Sequence, residues 1–168
     1  MKRIINHQLF IIPACLSVIV LFNACSSAKE ITSIATPEEI TQAINNDHWK
    51  FSPAYVTPSY GRSRNLTSEY FVSTNNHNMV VALPYFGKLN SAAGAMNGNP
   101  LDFTSAKFDL SKETKSNGGW TVTIKNPDPE VQSMLFTFYD NGSAQLMITM
   151  TNRTGISYSG RVEPNKPI

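Results

Sequence analysis

The stretch Met134-Leu135-Phe136-Thr137-Phe138-Tyr139-Asp140-Asn141-Gly142-Ser143-Ala144-Gln145-Leu146-Met147-Ile148 decides the fold. Met134, Phe136 and Phe138 precede Asp140-Asn141-Gly142 at every second position, and Ala144, Leu146 and Ile148 follow it at the same period. That period turns one face of each segment toward a core. A two-residue loop would set Phe138 against Gln145 and Phe136 against Met147. A three-residue loop sets Phe138 against Ala144, Phe136 against Leu146 and Met134 against Ile148. Only the second register keeps the apolar sets on one face, because a one-residue slip turns every side chain over. The spacing predicts a hairpin closed by a type I turn, with Gly142 in a left-handed bulge.

The same period extends in both directions. Trp120, Val122 and Ile124 alternate with Thr121, Thr123 and Lys125; Ile156, Tyr158 and Val162 follow the hairpin, with Gly160 interrupting. Turn residues separate these runs at Asn117-Gly118-Gly119, Asn126-Pro127-Asp128-Pro129 and Asn152-Arg153-Thr154-Gly155. Earlier strands are expected over 49–57, 69–74, 78–83 and 101–110, the last of them broken. Strands at this spacing read as an antiparallel meander. One helix is expected before them. Thr36 can cap it, Pro37 suits its first turn, Glu39 completes a capping box, and Ile40, Ala43 and Ile44 form its apolar stripe. The fold class is therefore all-β, with about eight antiparallel strands and one short N-terminal helix. A barrel and a β-sandwich both accommodate such strands. The barrel is preferred because eight sequential strands can close and remove their edges.

The first 35 residues read as an address and a tether. Lys2 and Arg3 precede a 14-residue apolar run from Leu9 to Phe22, the length of a signal-peptide core. Asn23-Ala24-Cys25 then reads as a lipoprotein processing site, although Phe22 and Asn23 depart from the usual pattern before the cysteine. On this reading residues 1–24 are removed, the Cys25 thiol carries the lipid, 25–35 form a tether and 36–168 form one domain. The processed chain has 168 − 24 = 144 residues and 14 − 2 = 12 basic against 12 acidic groups. A neutral chain lacks the basic excess that nucleic-acid binding requires. Cys15 leaves with the signal, so no disulfide is expected. Ser26 and Ser27 carry neither an inner-membrane retention signal nor an acidic export signal, which points to the periplasmic face of the outer membrane. Polarity is carried by 17 Ser, 14 Thr and 16 Asn rather than by charge.

The run Leu83-Pro84-Tyr85-Phe86-Gly87 resembles a family of Bacteroidetes lipoproteins known as domain of unknown function 4251. Tyr70, the small-residue loop to Asn99, Phe103, Asn141-Gly142 and Tyr158-Ser159-Gly160 fit the rest of its pattern, over about 49–162. The loop departs from it, with fewer glycines and no aromatic after Ser91. The resemblance implies a calycin-type, lipocalin-like barrel and no activity.

Chemistry is sparse. His48 and His77 have no metal-ligand spacing, and no cofactor is expected. No G-x-S-x-G elbow, P-loop or dinucleotide fingerprint occurs. Asp102, Asp109, Asp128 and Glu130 offer carboxylates without a pairing signal. Arg62 and Arg64, two apart on an extended segment, share a face and can grip a carboxylate or phosphate. Pro84 must lie at a strand end or edge. Tyr85 and Phe86 then point to opposite faces, with Phe86 expected in the core and Tyr85 outward. Tyr85, Arg62, Arg64 and Met96 of the loop 87–100 are the candidate contacts for a ligand or partner. Two readings follow: a non-enzymatic envelope module binding a small apolar or amphipathic ligand or a protein, or a structural accessory with a filled barrel. A hydrolase is the weaker third. An open apolar cavity favours the first, and a filled interior with an exposed apolar patch favours the second. Replacing Cys25 by Ser is expected to abolish incorporation of a clickable fatty acid; label retained on the variant would contradict the anchor.

Overall fold

A computed structural model describes residues 35–88, 100–116 and 118–165. Cys25, Met96 and most of the loop 87–100 lie outside them. Helix α1 (Pro37–Asn45) begins as its sequence requires: the Thr36 hydroxyl accepts from the Glu39 amide, and the Glu39 carboxylate accepts from the Thr36 amide at 2.8 Å. Ile40, Ala43 and Ile44 are its buried face. Ten strands follow: β1 (Trp49–Pro58), β2 (Arg64–Asn65), β3 (Phe71–Asn75), β4 (Asn78–Leu83), β5 (Leu101–Ser105), β6 (Asp109–Thr114), β7 (Trp120–Asp128), β8 (Val131–Phe138), β9 (Ser143–Met150) and β10 (Ile156–Pro164). They form one antiparallel, curled sheet in the order β5-β4-β3-β1-β10-β9-β8-β7-β6, with β2 added beside β1.

The deciding hairpin has the expected register. Phe138 faces Ala144, Phe136 faces Leu146 and Met134 faces Ile148. Gly142 adopts φ +79°, the left-handed conformation that the bulge demands. Strand β10 lies so close to β1 that a Cβ on Gly160 would strike the Ser52 carbonyl oxygen and the Pro53 Cα. The glycine interrupting the last apolar run is thus required by backbone approach, next to the register shift between Pro53 and Tyr55.

The expected all-β, barrel-like fold is present as a curled sheet in which no ladder joins β5 to β6. All pairings are antiparallel, and eight steps separate the two strands along the sheet, so β5 and β6 run in the same direction. Only 106–108 lie between them in the chain. They are therefore two halves of one bent strand, the first pairing with β4 and the second with β7. Ser105 makes the bend: its hydroxyl donates to the Lys107 carbonyl at 3.2 Å and accepts from the Lys107 amide at 3.4 Å. Counting this strand once, and setting aside the two-residue β2, leaves eight staves, the number that the sequence predicts. The bend brings the sheet ends together without pairing them, so the wall is a curled half-barrel.

Lys112 guards the exposed edge. It lies opposite Val122, an inward position, and its ammonium donates to the carbonyls of Ile44 at 3.1 Å and Asn45 at 2.8 Å. It also pairs with Asp47 at 2.9 Å. A cation thus meets the negative end of α1. The same inward charge discourages strand addition at β6.

The interior is full. The Trp49 ring sits 4.9 Å from both Phe136 and Phe138, edge to face, and Phe51 sits 5.9 Å from Phe136. Ile124, Met134, Leu146 and Ile148 surround these rings, each no more than 1% exposed. Ile40 adds the helix, ending 3.2 Å from where a Cβ on Gly142 would lie. Gly142→Val is expected to cost about 2 kcal/mol or more, from left-handed strain and contact with Ile40 and Arg161. Gly142→Asn, which tolerates this conformation better, is expected to lose less. Thermal melts compare them, and an unchanged midpoint for the valine variant contradicts the bulge.

Candidate functional site at the Tyr85–Phe86 rim

Strand β4 ends at Leu83, paired with Leu101, because Pro84 has no amide hydrogen to continue a ladder. The Pro84 carbonyl accepts instead from the Tyr158 hydroxyl at 2.7 Å, across 74 positions of sequence. Burial, with a smaller contribution from Tyr85, pushes the Tyr158 phenol far above the ordinary tyrosine range. Tyr158 therefore stays protonated and remains a donor.

Tyr85 turns inward and is 3% exposed. Its hydroxyl donates to the Thr154 carbonyl at 2.8 Å. Thr154 also holds Lys88: the Lys88 amide donates to the threonine hydroxyl at 3.0 Å, and the Thr154 amide donates to the Lys88 carbonyl at 2.9 Å. The Arg153 guanidinium lies 5.2 Å from the centre of the Tyr85 ring and pairs with Glu130 at 2.7 Å. Phe86 turns outward, 37% exposed, with the Arg64 guanidinium 4.8 Å above its ring. Tyr60 is 67% exposed and has the Lys88 ammonium 5.7 Å from its ring centre.

The expected faces of Tyr85 and Phe86 are thus exchanged. Strand alternation fixes faces only while the ladder continues, and Pro84 ends it. Tyr85 can be buried without an unsatisfied hydroxyl because the Thr154 carbonyl accepts its hydrogen. A backbone carbonyl 69 positions away thereby decides which ring goes inside.

Of the two arginines, Arg64 lies in the short strand β2 and Arg62 precedes it. Arg64 faces Val56 and Asn65 faces Tyr55 across the short β1–β2 ladder. The hydroxyls of Thr57 and Ser63, 2.9 Å apart, continue that register. Arg62 precedes Arg64 by two residues, outside the ladder and next to the bend at Gly61. Both are exposed and, among the described residues, neither forms an ion pair. Residues 48–101 contain Lys50, Arg62, Arg64 and Lys88 against a single acid, Glu69. The rim therefore gathers three exposed cations and two exposed rings. Met96 lies outside the described residues and cannot be assigned to it.

Other candidates fall elsewhere. His77 is exposed in the turn between β3 and β4. His48 lines a shallow groove of about 410 Å³ with Glu39, Gln42 and Asn46, and its amide donates to Ala43. Asp128 accepts from the Glu130 amide at 2.9 Å, a turn contact. Among the described residues no three metal-binding side chains converge. The sequence reading missed Arg153, 8% exposed under the rim, because a turn arginine carries no signal that a buried ring waits for it.

Tyr85→Ala is expected to cost about 3 kcal/mol or more, as for other large buried rings, and Tyr85→Phe about 1 kcal/mol for the lost hydrogen bond. Phe86→Ala is expected to cost much less. Urea titration ranks the three, and a larger loss at Phe86 than at Tyr85 reverses the assignment.

The family model "Domain of unknown function (DUF4251)" matches residues 33–162. A crystal structure of a DUF4251 family protein from Bacteroides eggerthii superposes with a TM-score of 0.60 at 16% identity, covering 76% of this chain and 87% of that one. No curated protein matches. The run Leu83 to Gly87, the Asn141-Gly142 turn and the curled antiparallel sheet are therefore features of a chain that belongs to the DUF4251 family.

Proposed function

We propose that this protein is a non-enzymatic, lipid-anchored accessory of the cell envelope, on the periplasmic face of the outer membrane, that works through its surface at the Phe86 rim. One observation carries this reading: the space where a lipocalin-like barrel would hold a ligand is taken by Trp49, Phe51, Phe136 and Phe138. A barrel of eight staves is only just wide enough for side chains or one small ligand, so four rings leave little room for a guest. Of the two binding modes that the sequence leaves open, a filled interior favours the surface.

The direction of the chain supports the same reading. Strand β1 starts beside α1, where the His48 amide bonds Ala43, and ends ten residues later at Pro58, next to the rim residues Ser59 and Tyr60. Ten extended residues span about 33 Å. The Phe86 rim lies at the far end of β1 from α1, which leaves its exposed rings and arginines clear of the helix and within reach of a partner.

Titration of the Cys25→Ser protein with 1-anilinonaphthalene-8-sulfonate tests the reading. No saturable fluorescence increase is expected. A one-to-one saturable signal that survives joint replacement of Phe86 and Arg64 by Ala would place a ligand inside and contradict it.

A further inference from the structure

We infer that the rim recognises an acidic, extended polypeptide segment, with Arg62 and Arg64 each taking a carboxylate and Phe86 and Tyr60 supplying apolar contact. This deepens the surface reading above and rests on it. Three features of the rim carry the inference.

The first is spacing. Arg62 and Arg64 are two residues apart, and an extended course between them sets them about 6.6 Å apart along the chain. Carboxylates at alternate positions of an extended peptide repeat at the same interval. Each guanidinium can then form a two-pronged bond to one carboxylate, a geometry that a compact ammonium does not reproduce.

The second is charge. The rim cations Arg62, Arg64 and Lys88 have no carboxylate partner among the described residues, whereas Arg153, below them, is already committed to Glu130 and the Tyr85 ring. Arg64 and Lys88 rest on aromatic faces instead. Such stacking holds a guanidinium in place while its N–H edge stays open. Orienting the arginine beforehand reduces the entropy lost when a carboxylate arrives.

The third is the sheet edge. Strand β2 pairs with β1 on one side and, among the described residues, with no strand on the other. An extended segment laid along Ser63–Asn65 would meet the side of β2 that faces away from β1, as well as the two guanidinium groups. Strand addition of this kind gives affinity through the main chain and specificity through alternate side chains. Exposed aromatic residues beside arginine are also the composition of protein-binding hot spots. These features favour a polypeptide over an anionic lipid surface, which offers phosphates without a fixed repeat or a backbone.

Fluorescence anisotropy with a labelled eight-residue peptide of alternating Glu and Ser, added to the purified full chain, tests the inference. Binding is expected to weaken as salt rises, and to be absent for the matching Gln-Ser peptide. Joint Arg62→Glu and Arg64→Glu substitution is expected to weaken it about ten-fold or more. Lys125→Glu, exposed on β7, changes net charge elsewhere and is expected to leave it intact. Circular dichroism melts verify that the variants fold, and Arg62→Gln with Arg64→Gln provides a neutral second pair. The inference is overturned by no binding at millimolar peptide, by equal binding of the Gln-Ser peptide, by an equal loss with Lys125→Glu, or by preference for phosphatidylglycerol vesicles over the peptide. Failure of the peptide while the interior still refuses dye removes the acidic partner alone; dye inside the barrel removes the surface reading itself.

Discussion

Trp49 touches Phe136 and Phe138 through the middle of the sheet, and this three-ring contact joins the first strand to the eighth. Aromatic pairs at such angles add to the energy of their burial. The consequence of the contact is spatial. Four rings occupy the centre of the curled sheet, which favours recognition on its outside. Trp49 also fixes the start of β1, from which the helix leaves on one side and the long pairing with β10 runs to the rim.

The unclosed ladder follows from how one chain can serve two edges. The strand after residue 100 meets β4 first and β7 second, and it must bend at Ser105–Asp109 to do both. The protein meets the exposed edges with side chains: Lys112 points inward from β6 and holds the carbonyl end of α1. That single lysine caps a helix, forms an ion pair with Asp47 and disfavours further strands on β6. The edge beside Arg64, which lies opposite the buried Val56, borders the exposed rings.

How much of this was legible depended on whether the deciding contact was local. The hairpin about Asp140-Asn141-Gly142 could be read to the exact pair because its register is set by period and one turn. The capping box of Thr36 and Glu39 lies within four residues and was equally plain. The bend was visible only as an irregular strand over 101–110, since nothing in those residues says that β7 waits for the second half. The faces of Tyr85 and Phe86 were misread for the same reason. The acceptor for the Tyr85 hydroxyl is the Thr154 carbonyl, and backbone carbonyls leave no mark in a sequence. Arg62 and Arg64 were legible as a pair, but Phe86 beneath Arg64 was not, because that contact depends on the exchange of faces.

The central claim is that the interior is filled and dry, leaving the rim as the working surface. Methyl spectra recorded by NMR under xenon pressure test it most directly, because xenon enters apolar cavities that water avoids. The account predicts no saturable shifts at the methyl groups of Ile124, Met134, Leu146 and Ile148. Saturable shifts confined to those methyls would reveal an internal cavity and contradict it.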